Sequence, residues 1–155
     1  MALREEKREA PRVDDLIKRY CAEHLPKLSE RSQADQRSVM AKLVAPVWGR
    51  KLVVDITQSD VDRLLTQIAE GRARPHKAKP NNRARKLQGP KPTPVRANRV
   101  GEIIRKMFTL AVQWGWCEDN PAQRFHRRME TPRERFLSKE EIARLAAALD
   151  AAEDR

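Results

Sequence analysis

The sequence predicts an all-α protein. Leu, Ala, Arg, Lys and Glu dominate segments whose apolar residues recur every three or four positions, the spacing of a helix face. Strand-forming runs are scarce, and aromatic residues make up only 5% of the chain. The first four periodic segments are each closed by a proline or a glycine, the residues that end helices. With 155 residues and 39% apolar content, the chain can bury one small core and carry appendages outside it.

Residues 1–12 are charged, lack periodicity and contain Pro11, which predicts a disordered lead-in. A first helix is expected from Val13 to about Leu25, with Val13, Leu16, Ile17, Tyr20 and Cys21 on one face and Pro26 closing it. A second runs from Ser32 to about Val44, apolar at Val39, Met40 and Leu43, polar at Gln33, Gln36, Arg37 and Lys42, and ended by Pro46. The following VWGRKLVVDIT reads as a connector in which Gly49 turns the chain and Leu52, Val54 and Ile56 alternate inward, with no second strand to pair with. Thr57 is an N-cap with Asp60 three residues on, opening a helix that buries Val61, Leu64, Leu65 and Ile68 and stops at Gly71.

The longest helix is expected from about Val95 to Trp114. At about 100° per residue, Val100, Ile103, Ile104, Met107, Ala111 and Trp114 fall on one arc, and Asn98, Arg99, Glu102, Arg105, Lys106, Thr109 and Gln113 on the other. Gly115 fits the C-terminal cap, Trp116 can fold back on the last turn, and Asn120-Pro121 forces an extended step. A charged linker, HRRMETPRER, whose His126, Arg127 and Arg128 read as solvated charge or a phosphate contact, leads to a capping box at Ser138 and Glu141 and an amphipathic helix with Ile142, Leu145 and Leu149 on one side.

The net charge of +11 is concentrated. Residues 71–94 hold eight Lys or Arg and no acid, which leaves 25 basic and 22 acidic residues, a net of +3, on the other 131. This Pro-rich, apolar-poor tract cannot supply a packed element, so it reads as a flexible loop: a solvated linker, or an arm lying on nucleic-acid phosphates through Lys77, Lys79, Arg83, Arg85, Lys86 and Lys91. On the helices, Gln33, Gln36, Arg37, Lys42, Arg96, Asn98, Arg99, Arg105 and Lys106 have the side chains that hold phosphates or read base edges. The three histidines and two cysteines show no metal-ligand spacing, so neither a metal nor another cofactor is expected, and Cys21 and Cys117 are expected to remain unpaired. No apolar run is long enough for a membrane span or a signal peptide, which predicts a cytosolic protein.

Four segments in this order and spacing, VDDLIKRY (13–20), PVWGRKLVVDITQSDV (46–61), ANRV with FTLAVQWGWCEDNP (97–121) and FLSKEEI (136–142), resemble the phage integrases of the tyrosine recombinase family. The resemblance covers about Val13 to Leu149. It implies that residues 13–126 form the family's core-binding domain, a SAM-like bundle of about four helices with a long basic loop at 71–94. Residues 127–155 would then be the interdomain linker and the first helix of a truncated catalytic domain. The double tryptophan and Asn-Pro would be the exit from the last core-binding helix.

The family's catalytic Arg, Lys, His and Tyr residues belong to the other domain, so the resemblance implies no catalytic residue in this chain. Tyr20, the sole tyrosine, falls on the apolar side of the first helix with no activating neighbour. The implied partners are double-stranded DNA at an attachment site, the catalytic domain of the same polypeptide and further recombinase protomers assembled on DNA. In isolation a monomer is expected, and in the cell a bacterial protein at the nucleoid. The charge alone also fits a helix-turn-helix regulator or an RNA-binding helical protein.

Overall fold

The structure, a computed structural model, describes residues 10–72, 92–130 and 135–153. Every regular element among them is helical, so the protein is all-α. The lone strand-like feature is an isolated antiparallel bridge between Arg12 and Leu52.

Helix α1 (Val13–Glu23) buries Val13, Leu16 and Tyr20. Its first N–H groups have no partner within the helix, and the connector supplies them: Val13 N–H donates to Lys51 O at 3.0 Å and Asp14 N–H to Gly49 O at 3.1 Å. The folded body therefore starts before Val13. Pro11 O accepts from Val53 N–H at 3.0 Å and the Arg12 side chain donates to Arg50 O at 2.6 Å, so Pro11 and Arg12 do not belong to the expected lead-in, of which residues 1–9 lie outside the described residues. After α1, Pro26 sits inside a 3-10 turn (Leu25–Lys27) that buries Leu25.

Helix α2 (Glu30–Val39) does not end at Pro46 as expected. It widens into a π turn (Met40–Val44) and resumes as α3 (Ala45–Trp48). Pro46 lacks an N–H, and the ladder shifts by one residue ahead of it, with Ala45 N–H donating to Met40 O. Met40, Leu43, Val44 and Trp48 are thereby all buried, and Trp48 becomes one of the largest core side chains rather than a connector residue. Gly49 is required sterically, because a Cβ there would run into the Asp14 carboxylate and the Ala45 carbonyl.

The expected inward alternation of Leu52, Val54 and Ile56 is not what forms. A 3-10 turn (Val53–Asp55) imposes a period of three, which buries Val53 and Ile56 and leaves Val54 57% exposed.

Helix α4 (Gln58–Ala69) has the expected capping box. Asp60 N–H donates to Thr57 Oγ1 and Thr57 N–H to Asp60 Oδ2, both at 3.2 Å, and Lys51 Nζ reaches Asp60 Oδ1 at 3.1 Å. Its buried face is the expected Val61, Leu64, Leu65 and Ile68. Gly71, at φ +72°, closes it in a Schellman arrangement: Arg72 N–H donates to Gln67 O and Gly71 N–H to Ile68 O. The chain re-enters where it left. Thr93 N–H donates to Ala69 O and Thr93 Oγ1 to Ile68 O, both at 2.7 Å, so the basic tract is inserted between two points that the bundle itself holds together.

Helix α5 (Pro94–Gln113) packs along α4 and also against α1. Its expected apolar arc is buried from Val100 to Ala111, and Ala97, Asn98, Gly101 and Phe108 widen it. Gly115, at φ +72°, makes a second Schellman motif: Trp116 N–H donates to Ala111 O and Gly115 N–H to Val112 O. Trp116 turns back beside Trp114, and Arg19 of α1 lies over both rings, 4.2 Å from the first and 5.3 Å from the second. The two tryptophans thus close the end of the bundle against α1. Helix α6 (Lys139–Glu153) leaves Ile142, Leu145 and Leu149 exposed.

Candidate nucleic-acid interface

The solvent side of α5 carries Arg99, Arg105 and Lys106, all exposed, and Arg96 is exposed in the first turn of the helix. Arg99 and Lys106 are seven residues apart and so lie in line along the helix. Among the described residues, Arg96, Arg99 and Lys106 take part in no ion pair, whereas Arg105 is bound to Glu102 at 2.8 Å. Near Lys106 the C-terminal end of α1 adds His24, and the 3-10 turn adds Lys27. Burial, and then the charges of Lys106 and Lys27, hold the His24 imidazole below its ordinary pKa and so favour its neutral form.

Asn98 is the clearest departure from expectation. Its place on the helical wheel puts it within the polar arc, but its side chain is buried, 5% exposed, and turned toward the segment that leaves the bundle. Asn98 Nδ2 donates to Arg128 O at 2.8 Å and to Glu130 Oε1 at 2.7 Å, and Arg128 N–H donates back to Asn98 Oδ1 at 2.8 Å. Asn98 thus behaves as a surrogate backbone partner for an extended strap and is not available to a ligand.

The strap, residues 124–130, is laid over α4 and α5. Gln58 Nε2 donates to Arg124 O at 3.3 Å, His126 N–H to Asp62 Oδ1 at 3.3 Å, and Arg128 Nη2 to Thr66 Oγ1 at 2.7 Å. Phe125 lies against Gly101, where a Cβ would come within 2.5 Å of the ring. Arg127 reaches Glu102 at 2.9 Å. His126 to Arg128, expected in the linker as solvated charge or as a phosphate contact, are held on the bundle. Upstream, Asn120 prepares this path by donating to Arg105 O and Thr109 Oγ1 and accepting from Ala122 N–H.

The expected residues of α2 divide. Arg37 and Lys42 are exposed, Lys42 on the π turn. Gln33 Nε2 donates to Leu28 O at 2.9 Å, and Gln36 Oε1 accepts from Tyr20 Oη at 2.7 Å, so both amides are engaged inside the fold. Gln36 supplies the acceptor that a buried phenol needs. Burial, and secondarily Cys21, pushes the Tyr20 pKa up to about 12. Burial likewise raises both cysteine thiols, which are free and half-buried. Lys77, Lys79, Arg83, Arg85, Lys86 and Lys91 lie outside the described residues.

Among the described residues no group of His, Cys, Asp and Glu could hold a metal ion, and no helix is long and apolar enough to cross a membrane. Comparison with known protein families, curated proteins and solved structures finds no match to this chain. The residues missed from sequence are Lys27 and His24, which only the folding of the α1 end brings near Lys106, while the strap carries Arg127, read from sequence as solvated charge or a phosphate contact, to Glu102 on α5.

Proposed function

We propose that this chain is the DNA-binding, core-binding part of a phage-type integrase of the tyrosine recombinase family, clamping duplex DNA at an attachment site during integration and recombination. The observation that carries the proposal is the exposed basic side of α5. Arg96, Arg99 and Lys106 stand on a rigid helix without carboxylate partners among the described residues, so their charge is available to phosphates and to base edges. The four-segment resemblance gives that charge its specific form.

In this reading the α5 face sets register and the basic tract adds sequence-independent affinity. The chain has no catalytic residue of its own, uses no cofactor, and leaves strand cleavage to a catalytic domain of the same parent polypeptide. It is a monomer alone, meets further protomers on DNA, and works in the bacterial cytoplasm at the nucleoid. Tyr20 supports the non-catalytic role, because its hydroxyl is tied to Gln36 and held neutral far above physiological pH.

The test is titration with labelled duplex DNA and with RNA of equal length, together with a supercoiled-plasmid assay. Duplex binding that falls steeply with salt, weaker RNA binding and no nicking are expected. Preference for RNA, or nicking that survives Tyr20→Phe, would overturn the proposal.

A further inference from the structure

Glu102 holds two arginines from different parts of the chain. Its Oε2 accepts from Arg105 Nε at 3.0 Å and Nη2 at 2.8 Å, while its Oε1 accepts from Arg127 Nη2 at 2.9 Å. Arg105 belongs to α5, and Arg127 belongs to the strap. Neither has a wandering anchor: the strap is pinned on both sides of Arg127, by His126 N–H on Asp62 and by Arg128 N–H and C=O on the buried Asn98. Among the described residues most N–H donors of both guanidinium groups have no partner, and the side chains are 47% and 68% exposed. Two positive charges against one negative leave the cluster positive, and Arg99 and Lys106 flank Glu102 within one turn on either side.

We propose that Glu102 holds Arg105 and Arg127 as a fork that takes one backbone phosphate of duplex DNA, making Arg127 of the strap a binding residue and Glu102 a positioning residue. The two oxygens of a carboxylate are spaced much like two oxygens of a phosphate. Guanidinium groups tied to the inner pair therefore present their outward N–H groups at a separation that suits a phosphate beyond them. An isolated arginine must lose its rotamer freedom when it binds, whereas this pair is already ordered. The strap then becomes part of the DNA-facing surface rather than a spacer behind it. This inference rests on the duplex-binding reading above.

The experiment uses the whole chain and a fluorescent random-sequence duplex, since a phosphate contact needs no cognate site, with anisotropy titrations at several salt concentrations. Arg105→Ala and Arg127→Ala are each expected to weaken binding about tenfold, as loss of a charge-assisted hydrogen bond does, and to reduce the log-log salt slope by about 0.9. The double variant is expected to be no more than about twofold weaker than either single one, because the two residues act as a unit on one phosphate. Arg127→Lys, which keeps the charge and loses the planar donors, should behave like Arg127→Ala. Glu102→Gln should weaken binding even though it removes a negative charge; simple charge counting gives the opposite sign.

Thermal unfolding of each variant separates lost binding from lost fold. Additive losses in the double variant, or tighter binding by Glu102→Gln, would overturn the fork and leave the duplex-binding reading intact. Failure of the unaltered chain to bind duplex would overturn both.

Discussion

Replacing Asn98 tests whether the strap belongs to the fold. Asn98→Ala removes the two bonds with the Arg128 backbone, each 2.8 Å, and the bond to Glu130 at 2.7 Å. The N–H and C=O of the half-buried Arg128 would lose their protein partners, at about 1 kcal/mol each. The Glu130 bond adds less than its charge suggests, because that carboxylate is exposed. Alanine recovers about 0.5 kcal/mol as a better helix former. The expected net loss is about 2 kcal/mol in urea unfolding, with an unchanged slope and faster hydrogen exchange of the amides in 124–130. Asn98→Asp should lose at least as much, because it keeps the acceptor for Arg128 N–H but gives up both donated bonds and sets a second carboxylate beside Glu130. A loss under about 0.5 kcal/mol with undiminished strap protection would refute the reasoning. Unchanged stability with reduced discrimination between DNA sequences would return Asn98 to the base-reading role that its helical position suggested.

Gly101→Ala should destabilise the protein, although the same change in an open helix interior gains about 1 kcal/mol, because the new methyl would overlap the Phe125 ring; Phe125→Leu in the same chain should recover part of the loss in thermal unfolding. Thr57→Ala should cost about 1 kcal/mol by removing the α4 cap. It should also blunt acid sensitivity. Burial alone would raise the Asp60 pKa, but hydrogen bonds from Thr57 and Lys51 outweigh it and hold the carboxyl below its ordinary value of 3.8. That stabilisation is complete above the unfolded value and fades as pH falls through the depressed folded one, so the acid limb of the stability profile should flatten only in part in the variant, which loses the Thr57 hydroxyl bond to Asp60 but keeps the backbone N–H bond and the Lys51 contact. Tyr20 gives the alkaline counterpart. Its raised pKa means stability is complete below about pH 10 and falls as pH rises through about 12, and Tyr20→Phe should remove that limb while costing about 1 kcal/mol at neutral pH for the orphaned Gln36 acceptor. Absence of an alkaline transition in the unaltered protein would contradict the buried pairing.

The helices that the sequence determined by itself are those whose signals are local. α4 has its cap, apolar face and glycine stop within a dozen residues, and the α5 stripe and its Gly115 terminus follow from periodicity and the left-handed tolerance of glycine. The basic face of α5 was legible for the same reason: Arg99, Arg105 and Lys106 lie opposite the stripe. The tertiary structure decided what depends on partners distant in sequence. Pro46 could be absorbed by a π turn because the core needs Trp48 inside, an outcome that proline chemistry alone argues against. Gln36 turned inward because a buried phenol sixteen residues away needs an acceptor, and Asn98 because a strap thirty residues on presents its backbone there. Polar side chains look alike on a helical wheel whether they meet water or satisfy the chain itself. The difference lies in desolvation, which exists only once the segments have been brought together.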